Sequence, residues 1–235
     1  MMDDINKSSD DSLIAWETNA DFWDERMGDA SNAFHREVVR PQTELLLDVH
    51  AGDLVLEAAC GNGNYARRLA QQGARVVAFD FSGKMIENAR KRQAEYLRMI
   101  DFHVCDARDY HRIKSLGSDA SFDKAVCNMA VMDISDIKPL FQAVFALLKD
   151  GGVFVFSTHH PCFERPADNY MTGKMHKGEA INGQPMLQNY YHRSMQEIFS
   201  CCFGSGFVID GFYEQPDSDP ELPVIMIVRL RKPQK

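Results

Sequence analysis

Five short apolar runs alternate with stretches of helical period, and this alternation most constrains what the chain can fold into. The runs are Leu54–Ala58, Arg75–Asp80, Ile100–Cys105, Lys124–Met129 and Val153–Thr158. Each is short and rich in β-branched or aromatic residues, as buried strands are. Helical patterns at Asn64–Gln72, Gly83–Leu97 and Ile137–Lys149 separate them. Gly73 and Gly151-Gly152 follow helix ends, and Ser82 and Ser135 stand where N-caps belong. Strand–helix alternation predicts an α/β fold, a doubly wound and mostly parallel sheet with helices on both faces. The end of the chain differs. Ser194-x-x-Glu197 opens a helix to about Phe203. Phe207–Glu214 and Val224–Arg229 then read as strands joined by too short a return for a parallel crossover, so they pair antiparallel.

The domain plan follows. Residues 1–12 are polar and acidic, lack the basic start and apolar core of a signal peptide, and read as a disordered leader. Residues 13–50 form an N-terminal helical cap, with Asp21 to Leu47 helical, Pro41 opening a helix that runs through Leu45-Leu46-Leu47, and Trp16, Phe22 and Trp23 as apolar anchors. Residues 51–235 form the main domain. Within it, 159–193 has no clear period and is rich in pocket-type side chains (His159, His160, Phe163, Tyr170, His176, Tyr190, Tyr191), which suits a lid or substrate segment.

Bulk properties exclude several classes. A net charge of -8 on 235 residues argues against a phosphate-backbone partner. No C-x-x-C pair stands among the six cysteines, so no metal site is expected, and they read as reduced thiols of a cytoplasmic protein. No apolar run approaches the roughly 20 residues of a membrane span.

The chemistry concentrates at strand ends. In Val55-Leu56-Glu57-Ala58-Ala59-Cys60-Gly61-Asn62-Gly63, an apolar run ends in a carboxylate, and a loop with two glycines leads into a helix. Gly61 and Gly63 let backbone approach a ligand, and the following helix turns free N–H groups toward it. Gly61-x-Gly63-x-x-Ala66 also fits a dinucleotide fingerprint, so an NAD(P)-dependent oxidoreductase is the alternative. Asp80 suits a carboxylate accepting from ribose hydroxyls in either case. Glu57 separates the two: it repels a pyrophosphate and favours a sulfonium cofactor bearing an ammonium group. Asp106 ends the third strand, where it can accept from an adenine amino group beside the Ala107 N–H. Asn128 ends the fourth.

Together these motifs resemble those of the class I S-adenosylmethionine-dependent methyltransferases, over about Val55 to Arg229. The first motif departs from the family at Ala59, where glycine is usual. Ala78-Phe79-Asp80-Phe81-Ser82-Gly83-Lys84-Met85 resembles the second motif, His103-Val104-Cys105-Asp106-Ala107 the adenine-edge motif, and Leu147–Phe156 the junction into the fifth strand. The resemblance implies seven strands with the last antiparallel, S-adenosyl-L-methionine as cofactor and S-adenosyl-L-homocysteine as product. It also implies in-line methyl transfer, Asp80 on the ribose, and Phe81 and Met85 against the adenine. A non-catalytic S-adenosylmethionine-binding protein is a further alternative, supported by Ala59 alone. Nucleic-acid amino-methylating enzymes carry Asn/Asp-Pro-Pro-aromatic after the fourth strand. Here that place reads Asn128-Met129-Ala130-Val131, so a small-molecule acceptor is expected.

Candidate catalytic residues are His160, in His159-His160-Pro161-Cys162-Phe163 after the fifth strand, and Asp133 after the fourth. Each has a plain structural alternative, a hydrogen-bonded turn histidine and a helix cap. Candidate substrate contacts are His159, Tyr191, Arg193 (an anion site or plain surface) and, from family likeness, His35 and Arg36, which with Asn32 would close over the cofactor's methionine end. The acceptor, the atom methylated, the use of a general base and the oligomeric state are not fixed by the sequence.

Overall fold

The computed structural model describes residues 2–162 and 170–234, with side chains from Asp11 onward. Met1, Lys235 and residues 163–169, which include Phe163 of the expected lid, lie outside the described residues.

The main sheet has seven strands: β1 (Leu54–Ala58), β2 (Arg75–Asp80), β3 (Ile100–Val104), β4 (Phe122–Asn128), β5 (Leu148–His159), β8 (Val208–Pro216) and β9 (Pro223–Arg231). Their order is β3-β2-β1-β4-β5-β9-β8. The first five run parallel; β9 pairs antiparallel with both β5 and β8. The order reverses between β1 and β4, which opens a crevice at the strand C-termini. Helices α3 (Asn64–Gln71), α4 (Gly83–Arg92), α5 (Tyr110–Lys114), α6 (Lys138–Leu147) and α7 (Met195–Gly204) cover the sheet.

Strand alternation explains the near-continuous apolar runs. Leu56, Ala58, Phe154 and Phe156 point into one core with Phe141 of α6, while Val55, Val153 and Val155 point into the other with Leu69 of α3 and Ile86 of α4. Ser82 caps α4 by accepting from the Met85 N–H at 3.0 Å, and Ser194 caps α7 by accepting from Glu197 at 3.2 Å. Ser135 is not a cap. Helix α6 starts at Lys138, whose N–H is taken by Asp136, and Ser135 turns toward the crevice. Helix α4 stops at Arg92 because the next residue, Gln93, turns inward and donates to the Asn62 carbonyl and to Asn64.

The N-terminal segment departs from expectation. Helix α1 spans Met2–Met27, so the segment expected to be a disordered leader is helical. Ser12, within it, is buried and takes a hydrogen bond from Asn189. That contact holds the end of the segment, at Ser12, against the domain. The helical stretch expected over 21–47 comes in pieces: Gly28 ends α1 at φ 52°, a π-helical turn spans Phe34–Val39, and α2 (Arg40–Leu47) carries Pro41 in its first turn, as expected. That wider turn precedes Pro41, whose missing N–H leaves the Glu37 carbonyl without its ordinary partner, and Arg40 donates instead to His35.

The segment 159–193 is not all loop. β6 (Lys174–Gly178) pairs antiparallel with β7 (Gln188–His192) as a separate hairpin. Asn19 of α1 bonds both the N–H and the carbonyl of Met186, tying the hairpin to the helical cap. No helix among the described residues is long and apolar enough to cross a membrane.

Candidate active site

A cleft lies at the C-terminal ends of β1, β2, β3 and β4, roofed by α1 and β7. Its floor is built from the strand-end residues. The Asp80 carboxylate accepts from the Gly61 N–H and the Ser82 N–H, each at 3.0 Å, and so locks the loops after β1 and β2 together. Burial outweighs those bonds and raises Asp80 to about 6, with nearby Glu17 adding to the rise.

Glu57 lies beneath the loop rather than in the cleft wall. It is 3 % exposed, and its Oε2 has no hydrogen-bond partner among the described residues. Burial, and then repulsion by Asp80, push it well above the ordinary carboxylate range. A buried acid with an orphaned oxygen beside a second acid is costly unless a cationic donor reaches it.

The two glycines do different work. Gly61 (φ 53°) faces the cleft, and a Cβ there would lie 3.6 Å from the Trp23 indole nitrogen. Gly63 (φ 75°) is outside the lining, and a Cβ there would stand 2.7 Å from Phe102, so it packs the loop onto the sheet. Ala59, in place of the family's glycine, keeps the left-handed conformation at φ 53°. Met129, after β4, does the same at φ 48°. Both strained residues line the cleft, which is where such strain collects.

Phe81, Met85, Asp106, Ala107, Asn128, Asp133, His35 and Tyr191 all line the cleft as expected. Asp106 already accepts a forked pair from Arg108, 2.6 Å at the closest, and the Arg108 N–H at 2.8 Å. Arg108 is itself a lining residue. Gln188 of β7 donates to Asp133 at 3.3 Å. Burial, then the Arg40 guanidinium, push His35 down to about 4, so its ring is neutral at pH 7.

Besides Glu57 and Gly63, four expected residues lie outside the lining. His160 is buried behind the cleft; its Nε2 meets Glu214 at 2.9 Å and its Nδ1 accepts the Cys162 N–H. Both ring nitrogens are used in holding the turn, which is the structural alternative. His159 packs its ring 5.3 Å from Tyr190. Arg193 donates to the carbonyls of Val131, Ile134, Ser135 and Tyr191 and so staples the loop after β4. Arg36 is exposed, bonding the Ser31 carbonyl and Glu37.

No motif or spacing marks Arg108 or Ser12 as lining residues. Trp16 and Trp23 were legible only as apolar anchors, although a seven-residue spacing puts both on one helix face. They meet edge to face, centroids 5.2 Å apart, in the cleft roof.

Comparison with known proteins agrees with this geometry. Residues 55–152 match the family described as "Methyltransferase domain". The chain is 30% identical over 133 residues to a malonyl-[acyl-carrier protein] O-methyltransferase of Serratia marcescens, covering 55% of this chain and 47% of that one. It is 31% identical over 107 residues to a ubiquinone biosynthesis O-methyltransferase of Actinobacillus pleuropneumoniae, covering 46% of each. The chain thus spans about half the length of these curated relatives. Among solved structures, an S-adenosylmethionine dependent methyltransferase from Mesorhizobium loti superposes with a TM-score of 0.67 at 25% identity, covering 81% of this chain and 96% of that one. With its strand order and its antiparallel β9, the chain carries a methyltransferase domain over residues 55–152 on the fold of the S-adenosylmethionine-dependent methyltransferases.

Proposed function

We propose that this protein transfers a methyl group from S-adenosyl-L-methionine to a small-molecule acceptor, releasing S-adenosyl-L-homocysteine. One observation carries the cofactor assignment: the buried Glu57 carboxylate, with an orphaned oxygen, next to Asp80 under a glycine loop. Two acids there favour a cofactor with an ammonium and a sulfonium and disfavour a dinucleotide's pyrophosphate. The bound cofactor supplies an electrophilic methyl: the acceptor's lone pair forms the new bond to carbon as the C–S pair passes to sulfur.

The chain's own residues bind and orient. Asp80 accepts from the ribose hydroxyls, Phe81 and Met85 flank the adenine, and the Ala107 N–H and Asp106 meet its edge. The loop at Ala59–Gly61 takes the methionine end of the cofactor, with Glu57 beneath it offsetting the ammonium charge. Asn128 stands at the end of β4 beside this site. The roof of α1 and β7 excludes water, so a weakly nucleophilic acceptor need not compete with solvent. Asp133 is the lining carboxylate left to the acceptor side and takes the proton where the acceptor must lose one. Incubation with methyl-labelled cofactor and a panel of hydroxyl, amine and thiol acceptors tests the proposal. Labelled product and S-adenosylhomocysteine in equal amounts support it. Cofactor binding without turnover across the panel would leave a binding protein.

A further inference from the structure

Helix α1 covers the cleft but takes no part in the two apolar cores beside the sheet: among the described residues, none of α1 belongs to either. Its aromatic side chains, Trp16 and Trp23, turn into the cleft instead. What fixes the helix is largely polar. Glu17, Asp21 and Asp24 stand four and three residues apart, so they share one stripe of α1. They meet Lys84, Asn88 and Arg92, which stand one per turn along α4. The Lys84 N–H donates to Glu17 at 3.3 Å, and Lys84 Nζ pairs with Asp21 at 2.6 Å. Asn88 donates to Asp21 at 3.2 Å, and Arg92 forks onto Asp24 at 2.6 and 2.7 Å. Arg92 also reaches Asp29, just past the helix.

One member of this ladder reaches further. Asn62 lies between the two glycines of the loop after β1 and is 3 % exposed. Its amide donates to Asp24 at 3.0 Å. Asp24 therefore receives from α4 and from the glycine loop at once. Asn64, two residues on, donates to the Gly28 carbonyl at the end of α1, 2.8 Å away. Lifting α1 breaks these bonds and frees Asn62, whose neighbour Gly61 lines the cleft.

We infer that α1 is a gate over the S-adenosylmethionine site, latched by its acidic stripe to α4, and that Asp24 is the positioning residue that couples the closed gate to the glycine loop. The inference rests on the cofactor assignment above. A helix held by polar contacts opens at lower free energy than one packed into a core. The Asp21 and Lys84 side chains are 65% and 41% exposed, so dissolved ions weaken their pairing. Such a gate has its own kinetic signature. Because one latch closes both the empty and the filled cleft, weakening it speeds entry and exit by similar factors and leaves the dissociation constant nearly unchanged. A residue that merely touched the cofactor would, when removed, speed exit alone.

Both tryptophans of the chain line the cleft, so stopped-flow tryptophan fluorescence of the full chain reads S-adenosylhomocysteine entering and leaving. In the wild type, both rates should rise together, about three- to tenfold, between about 0.05 and about 0.5 M sodium chloride. Asp24→Ala should raise both about tenfold, with the dissociation constant changed less than about threefold. Asp21→Lys should raise both about threefold, and adding Lys84→Asp should restore them. Hydrogen exchange in the free chain gives a second reading: α1 amides should exchange faster in Asp24→Ala while those of β1 and β4 keep their wild-type rates. The inference is overturned if exit alone accelerates, if both rates ignore salt and the two substitutions, or if α1 exchange in Asp24→Ala stays at its wild-type rate. A chain that binds no S-adenosylhomocysteine, yet whose α1 exchange quickens with salt and in Asp24→Ala, would overturn the cofactor assignment and support the latch.

Discussion

Replacing Glu57 by Gln separates the two things this buried acid does. In the free protein both influences on its carboxyl, burial and the Asp80 charge, raise its proton affinity, and its Oε2 has no partner among the described residues. A carboxyl whose folded value is raised contributes stability that is complete below its ordinary value of 4.5 and is lost as pH rises through the folded value. The loss grows by about 1.4 kcal/mol per pH unit while the folded group stays protonated, a ceiling of roughly 3 kcal/mol at pH 7. Gln never ionises, but its amide needs a partner, which costs back about 1–2 kcal/mol. The net expectation is a gain at pH 7 of at most about 1–2 kcal/mol, or roughly 2–8 °C in Tm for a domain of this size. At pH 5 the ceiling falls below about 1 kcal/mol, so the gain should vanish or reverse. Thermal melts of both proteins from pH 5 to pH 8 read this directly. The same change should weaken S-adenosylhomocysteine binding about thirtyfold or more, because the ammonium loses its counter-charge. A Tm difference that stays flat or narrows as pH rises would refute the assignment of a strained, unpartnered carboxyl. Unchanged affinity would remove Glu57 from the cofactor site.

Further expectations concern single positions. Asp80 must be ionised to accept both ribose hydroxyls, so S-adenosylhomocysteine affinity should fall as pH drops below about 6, and calorimetry across pH 5–8 checks it. Free-state stability should move the opposite way, since a raised carboxyl stabilises most below 3.8 and loses that contribution toward 6. Ala59→Gly relieves a left-handed alanine and should raise stability by about 0.5–1 kcal/mol after the flexibility it adds to the unfolded chain, measured by denaturant titration. Arg193→Met strips donors from the turn carbonyls of Val131, Ile134 and Ser135 and should cost about 2–4 kcal/mol. It should lower methyl transfer more than S-adenosylhomocysteine affinity, since the turn carries Asp133 and not the cofactor loop.

How much was legible in the sequence depended on whether a residue's role is local. The five parallel strands were readable because both sheet faces are covered, so each strand is apolar along its length. Ser82 and Ser194 were readable as caps because a cap acts within three residues of itself. Asp80 and Asn128 were readable because strand ends in such sheets face the crevice by topology. The β6–β7 hairpin was missed because Lys174–Gly178 is polar and largely exposed, held by its partner strand and by Asn19 of α1, a contact distant in sequence. The leader helix was missed for the same reason: Ser12 is stabilised by Asn189 and Tyr191. His160 and Arg193 carried chemistry-rich side chains, but which groups they met, Glu214 and four backbone carbonyls, was set by tertiary structure. Gly61 and Gly63 looked equivalent in sequence. Only the position of Phe102 shows that one is kept open for a ligand and the other for packing.

The most direct test is calorimetric titration of S-adenosylhomocysteine into the wild-type chain and into Asp80→Ala at pH 7.5. A one-to-one isotherm for the wild type, and binding weakened about hundredfold in a variant with an unchanged circular dichroism spectrum, is the expected result. No binding to the wild type, or equal affinity in the two proteins, would contradict an S-adenosylmethionine site built on Asp80 and the loop after β1.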